Sequence, residues 1–270
     1  MKIQTFIVDS FTNQLFSGNP AGICLLEKDL DQTTMQNIAA ELNLSETAFI
    51  RPFPNEKGNY SIQYFTPTVE IEFCGHATLA AAKVIFEKTS LFEVQFTTNY
   101  NLVLKAFKGE ENITLYFPLY HTIDHTPDQK LLEAFTVKNI CEAKFSEDLN
   151  MVIVEVSDKE TLANLKPNFQ KAGKLSTTIS GLIVTCKSDD KKYDFYSRCF
   201  GPWIGIDEDP VTGSAHSVLA LSWAKKLNKK EMKAYQLSER GGYLDLKIMN
   251  DHQLEVRSNA CILFEGALTF

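Results

Sequence analysis

The sequence predicts an α+β protein made of two similar domains, each a mixed β-sheet or barrel wrapped around a central apolar α-helix. Three observations carry this. Most of the chain reads as short apolar, β-branched runs separated by turn residues. Two stretches, Phe73–Ala82 and Pro210–Ala224, contain no Asp, Glu, Lys or Arg, and a helix that is apolar all round belongs inside a core. The surroundings of these two stretches also repeat, from Tyr60 to Phe86 and from Tyr193 to Leu227. Each copy is a strand, a Phe-x-Pro bend (Phe65-Thr66-Pro67; Phe200-Gly201-Pro202), a loop, a glycine turn and then the apolar helix.

In chain order, Ile3–Asp9 and Ala21–Leu26 read as strands divided by the turn Ser17-Gly18-Asn19-Pro20. Thr33–Leu42 is helical, with Met35, Ile38, Ala39 and Leu42 on one face. Strands follow at Thr47–Arg51 and Tyr60–Phe65, then the first apolar helix at Thr78–Phe86, then strands at Leu102–Phe107 and Ile113–Phe117. The stretch Pro118–Pro127 carries two prolines and little periodicity, which makes it the expected boundary. Asp128–Phe135 reads as a short surface helix, followed by strands at Met151–Val156, Leu182–Thr185 and Tyr193–Ser197. Ala215–Leu227 is the second apolar helix, and Tyr243–Ile248, Leu254–Ser258 and Ile262–Thr269 are strands. Lysines stand only toward the ends of the apolar helices, at Lys83, Lys88, Lys225 and Lys226, where they complement the negative pole. The expected domains are 1–118 and 119–259, with 260–270 returning to the first because chain termini commonly lie close together.

At 270 residues a chain buries about three quarters of its unfolded surface, so it needs no disulfide or metal staple. A net charge of −7 argues against nucleic acid and against anionic membrane surfaces. No stretch has the apolar length of a membrane span. The start MKIQTFIVDSF lacks a signal peptide's apolar core and cleavage site. Cys24, Cys74, Cys141, Cys186, Cys199 and Cys261 never form a C-x-x-C pair, which fits free thiols and a cytoplasmic location.

The chemistry is expected where the apolar helices begin. A helix N-terminus presents unpaired N–H groups and the positive pole of the dipole, which together suit an anion. Taken singly, Gly75 and Gly213 need only permit tight turns, and Ser214 need only cap. Two like turns on two like helices point instead to a shared pocket between the halves. His76 stands at the first mouth beside Cys74, and Asp207-Glu208-Asp209 stands just before the second. Glu46, at the entrance of a strand, becomes a usable acid or base if buried. A positioned His or carboxylate contributes ~10²–10⁴ in rate, whereas a helix terminus offers an anion only ~0.3–2 kcal/mol. The mouths therefore bind, and side chains must do the chemistry. His121 and His125 have helical metal-ligand spacing, but Pro118 and Pro127 bracket them and no third ligand is evident. No G-x-G-x-x-G, Walker lysine or G-x-S-x-G motif is present, so neither a nucleotide cofactor nor a hydrolase triad is indicated.

Several segments together resemble the PhzF-like (phenazine biosynthesis-like) family. They are Asp9-x-Phe11-Thr12, Gly18-Asn19-Pro20-Ala21, Leu44-Ser45-Glu46-Thr47, Phe65-Thr66-Pro67, Gly75-His76-Ala77-Thr78 and Glu208-Asp209-Pro210-Val211-Thr212-Gly213-Ser214-Ala215. The resemblance implies a diaminopimelate epimerase-like fold, a homodimer, and proton-transfer isomerisation of a small carboxylate-bearing substrate without metal or organic cofactor. It places the catalytic roles on Glu46, His76 and Asp209. The ligand-contacting turn of the family falls on Gly213 and Ser214; Ser45, Gly75 and Thr212 are further expected substrate contacts, with Cys74 lining the pocket. Related epimerases and proline racemases set a cysteine at each helix mouth; here Cys74 matches the first and the second mouth segment has no thiol. An epimerase using Cys74 with a non-thiol partner, or a non-catalytic binding protein, are the alternatives.

Overall fold

The computed structural model describes residues 1–175 and 178–269. It has two compact units, Met1–Tyr116 together with the chain from Val256, and Phe117–Glu255.

The first unit runs β1 (Lys2–Ser10), β2 (Asn19–Leu25), α1 (Gln32–Leu42), β3 (Glu46–Pro52), β4 (Asn59–Phe65), β5 (Glu70–Ile71), α2 (Gly75–Lys88), β6 (Glu93–Thr98), β7 (Val103–Lys108) and β8 (Ile113–Pro118). The chain leaves it within β8. The second unit contains β9 (Ile123–Asp124), α3 (Gln129–Ala134), β10 (Ile140–Ser146), β11 (Met151–Val156), α4 (Lys159–Ala163), α5 (Phe169–Gly173), β12 (Gly181–Lys187), β13 (Phe195–Gly201), β14 (Ile206–Asp209), α6 (Gly213–Leu227), β15 (Glu231–Gln236) and β16 (Gly242–Asn250). Within β17 (Gln253–Ser258) the chain returns to the first unit and ends in β18 (Ala260–Thr269).

The pairings repeat from unit to unit. β1 runs antiparallel to β2, β2 parallel to β3, β3 antiparallel to β4, and β4 parallel to β6. In the second unit β10–β11, β11–β12, β12–β13 and β13–β15 follow the same sequence of directions. Parallel neighbours need a crossover connection. α1 lies in the connection between β2 and β3, and α2 in that between β4 and β6; α4 with α5, and α6, occupy the matching places. The repeat extends to the closing strand. β18, last in the chain, pairs with β1, while β9, which follows the first copy, pairs with β10. The fold is therefore mixed α+β, with one buried helix per half.

Both central helices are apolar because they are enclosed. In α2 every residue from His76 to Ala82 is buried, and α2 packs on β1, β2, β3, β7 and β18. In α6 the buried run is Ala215–Ala220 with Trp223, whose ring stacks on Phe195 and whose Nε1 donates to Thr185 Oγ1 at 3.0 Å. Both helices begin earlier than the sequence suggests, at Gly75 and Gly213 rather than Thr78 and Ala215. His76 and Ser214 thus lie within first turns.

Three other expectations change. α3 is not a surface helix, since Leu131, Leu132 and Ala134 join the second unit's core with Phe135 and Phe200. Pro118–Pro127 is not wholly irregular, because it holds β9. His121 and His125 stand on no helix, so their spacing brings no ligand pair onto one face. Among the described residues no helix is long and apolar enough to cross a membrane.

Candidate functional site

In the first unit Glu46 opens β3, opposite Ala21 of the parallel neighbour β2, and only 7% of it is exposed. His76, also buried, follows Gly75 on the first turn of α2. Its Nε2 lies 3.0 Å from Glu46 Oε2, off the line of an ideal hydrogen bond. Cys74, the N-cap of α2, has extended backbone and makes no side-chain cap. Its Sγ sits 3.4 Å from His76 Nδ1 and 3.8 Å from Nε2. Three proton-carrying or proton-accepting groups therefore meet within a few ångströms, on two elements that pack against each other.

The rest of the first unit fixes the imidazole. Ser10 Oγ donates to the His76 carbonyl at 2.8 Å, and Asn19 Nδ2 lies 3.3 Å from His76 Nδ1. Ser10 and Asn19 face each other across β1 and β2. The turn joining them needs Gly18, whose φ is +71° and whose missing Cβ would stand 2.1 Å from the Ser10 carbonyl oxygen. The first-strand motif is absorbed the same way: buried Asp9 accepts the Phe16 N–H through Oδ2 at 2.9 Å and holds the loop that leads to Gly18.

The electrostatics favour a charged imidazole. Burial works against charge on His76, but the Cys74 sulfur and the Glu46 carboxylate oppose it and hold the pKa well above the ordinary histidine value. Burial pushes the Cys74 thiol up, only partly offset by His76, so the thiol keeps its proton near neutrality. The Cys74 sulfur and then the Glu46 carboxylate are the neighbours that favour the proton on His76.

The second unit builds a different mouth. Of the three acids before it, Glu208 is taken by Arg198, whose Nε and Nη2 each donate to the carboxylate at 2.8 Å, and Asp207 is exposed. Asp209 ends β14, half-buried, and accepts the Thr212 hydroxyl through Oδ2. Thr212 is the N-cap of α6, followed by buried Gly213 and half-buried Ser214. Gln236 of β15, fully buried, clamps this turn. Its Oε1 accepts the Thr212 N–H at 2.9 Å, and its Nε2 donates to the Asp209 carbonyl at 2.6 Å and the Thr212 hydroxyl at 3.2 Å.

A thiol also lies near this mouth, contrary to the reading of the mouth segment alone. Cys199 on β13 is the register partner of Asp209. Burial, with a smaller contribution from Asp209, pushes it up to about 12 against the Thr212 contact. It is invisible in the segment around Gly213 because antiparallel pairing, not chain proximity, brings it there.

The candidate residues thus gather in two groups, one per unit. Glu46, Cys74, Gly75 and His76 form the first, with half-buried Ser45 in the bend before β3. Asp209, Thr212, Gly213 and Ser214 form the second. Sequence reasoning missed Asn19, Ser10, Gln236, Cys199 and His216, each set by strand register or helix packing. His216, fully buried, was hidden inside the apolar run of α6. Glu46, Cys74 and His76 place their ligand atoms within 4.8 Å of one another, a donor set suited to a metal ion.

The family model for phenazine biosynthesis-like proteins (PhzC-PhzF) matches residues 8–266. An uncharacterized isomerase of Halalkalibacterium halodurans is 41% identical over 254 residues, 93% of each chain. A human phenazine biosynthesis-like domain-containing protein is 40% identical over 287 aligned positions covering both chains completely. A crystal structure of a PhzF-family phenazine biosynthesis protein from Enterococcus faecalis superposes with a TM-score of 0.91 at 37% identity, again over the whole of both chains.

Proposed function

The chain belongs to the phenazine biosynthesis-like PhzC-PhzF family, and from this premise we propose that it is an isomerase moving a proton on a small carboxylate-bearing substrate. The observation that carries the reading is the 3.0 Å contact between Glu46 Oε2 and His76 Nε2, with both side chains at most 9% exposed. Glu46 removes a carbon-bound proton and returns it at a second position. His76, charged, hydrogen-bonds the negative charge that develops between the two steps. The pair needs no metal or organic cofactor for this. Asp209 keeps the catalytic role, and Gly213 and Ser214 the ligand contacts, that the resemblance implies; Ser45, Gly75 and Thr212 remain further candidate substrate contacts. A relative named as an isomerase supports the reaction class.

The test is a screen of small carboxylates in deuterated water, read by mass spectrometry. The proposal expects a substrate that gains solvent deuterium and a rearranged product with wild-type protein. Binding without deuterium uptake or product favours a non-catalytic role. The epimerase alternative has one observation behind it, the Cys74 thiol beside His76. It expects deuterium at an inverted stereocentre with no shift of a double bond, and protection of Cys74 from alkylation by substrate.

A further inference from the structure

We propose that Glu46, Cys74 and His76 form a binding site for a soft or borderline dication such as Zn²⁺, and that the metal acts as a brake on the acid–base pair. The three side chains are the ligand types such ions prefer: thiolate, imidazole and carboxylate. Their ligand atoms lie within 4.8 Å of one another, a convergence not repeated among the described residues. With Zn–S near 2.3 Å and Zn–N or Zn–O near 2.0–2.2 Å, tetrahedral geometry puts ligand atoms roughly 3.3–3.7 Å apart. The edges here are 3.8 Å for Cys74 Sγ to His76 Nε2 and 3.0 Å for His76 Nε2 to Glu46 Oε2. The sulfur, 3.4 Å from Nδ1 and so nearer to it than to Nε2, has to swing toward the Nε2 side to complete three corners, and water or an anion would supply the fourth.

The surroundings support such a site. Ser10 fixes the His76 backbone, and the Asn19 carboxamide beside Nδ1 can turn its oxygen to accept the N–H there, as an outer partner does for a metal-bound histidine. Hard ions are disfavoured, since Mg²⁺ and Ca²⁺ seek several oxygens and find one carboxylate here. The proton balance is explicit. Cys74 loses its S–H proton as the metal–sulfur bond forms. His76 loses the proton on Nε2 as the metal–nitrogen bond forms and keeps the one on Nδ1. Both protons leave to solvent, so binding weakens as pH falls. A metal held there occupies the carboxylate and imidazole that turnover requires.

The decisive probe is Co²⁺ titrated into the full chain without substrate, which makes the readout independent of the isomerase reading. The expected result is a near-ultraviolet thiolate-to-cobalt band that saturates at one equivalent, releases protons and is displaced by Zn²⁺ but not Mg²⁺. Cys74→Ser removes the band, Cys141→Ser keeps it, and Glu46→Gln keeps the band while weakening binding at least about tenfold. No band in the wild type, a band that survives Cys74→Ser, or equal displacement by Mg²⁺ overturns the site. Where a substrate is in hand, Zn²⁺ should inhibit and a chelator restore turnover; stimulation by Zn²⁺ contradicts the brake.

Discussion

At the start of α2 a histidine stands against a glutamate, whereas one turn into α6 a histidine stands against a backbone carbonyl and the ring of Phe195. The two helices otherwise begin alike. Each N-cap has extended backbone and no side-chain cap, and each is followed by glycine. Four residues on, a side chain contacts the N-cap carbonyl: Thr78 Oγ1 reaches Cys74 O at 2.7 Å, and His216 Nδ1 reaches Thr212 O at 2.8 Å. His216 therefore fills in α6 the slot that a threonine fills in α2. Burial lowers its pKa to about 4 against the pull of that carbonyl, so it is neutral near neutrality. His76, equally enclosed, is held charged by the Cys74 sulfur and the Glu46 carboxylate. The same residue type on sibling helices becomes an acid–base group or a fixed scaffold according to whether a carboxylate faces it.

The largest expected effect breaks the chemical mouth. Glu46→Gln keeps the side chain's shape and removes the base, so turnover and deuterium uptake should fall by ~10²–10⁴. Unchanged uptake in that variant would remove Glu46 from the mechanism.

Next comes the silent histidine. Its folded pKa lies below the ordinary 6.5, so the unfolded chain binds a proton that the native state refuses. His216 thus contributes stability that is complete above pH 6.5 and is lost as pH falls toward about 4. The loss amounts to about 3 kcal/mol. Urea unfolding of wild type and His216→Gln between pH 7 and 4 should show a shallower acid decline in the variant. For His76 the sign is reversed: its contribution is present below pH 6.5 and fades as pH rises through its elevated folded pKa.

A smaller effect sharpens the second mouth. Gln236→Leu leaves the Thr212 N–H without its acceptor and should cost ~1–3 kcal/mol in chemical denaturation. Of the same order is Thr78→Val, which removes the partner of the buried Tyr64 hydroxyl at 2.6 Å and should cost ~1–3 kcal/mol.

How far the sequence reveals this protein depends on the kind of signal. Met151–Val156 and Ile113–Phe117 read directly as strands because runs dense in apolar and β-branched residues mark them. Glu93–Thr98 and Glu231–Gln236, the strands that follow each buried helix, were hidden because one buried position in each, Thr98 and Gln236, is polar and breaks the apolar alternation. Glu46, His76 and Asp209 stood out through motif and position at helix mouths. Asn19 and Gln236 did not, because a buried amide becomes informative only when register shows which backbone groups it serves. That Glu208 belongs to Arg198 follows from the contact of β13 with β14, ten residues apart in sequence.

The contrast between the mouths is tested most directly by histidine NMR titration, using His76→Gln and His216→Gln to assign the signals and Glu46→Gln to perturb them. The account predicts a His76 signal that titrates well above 6.5 and moves down in Glu46→Gln, beside a His216 signal neutral to about pH 4. A wild-type His76 titrating at or below 6.5, or one indifferent to Glu46→Gln, would contradict it.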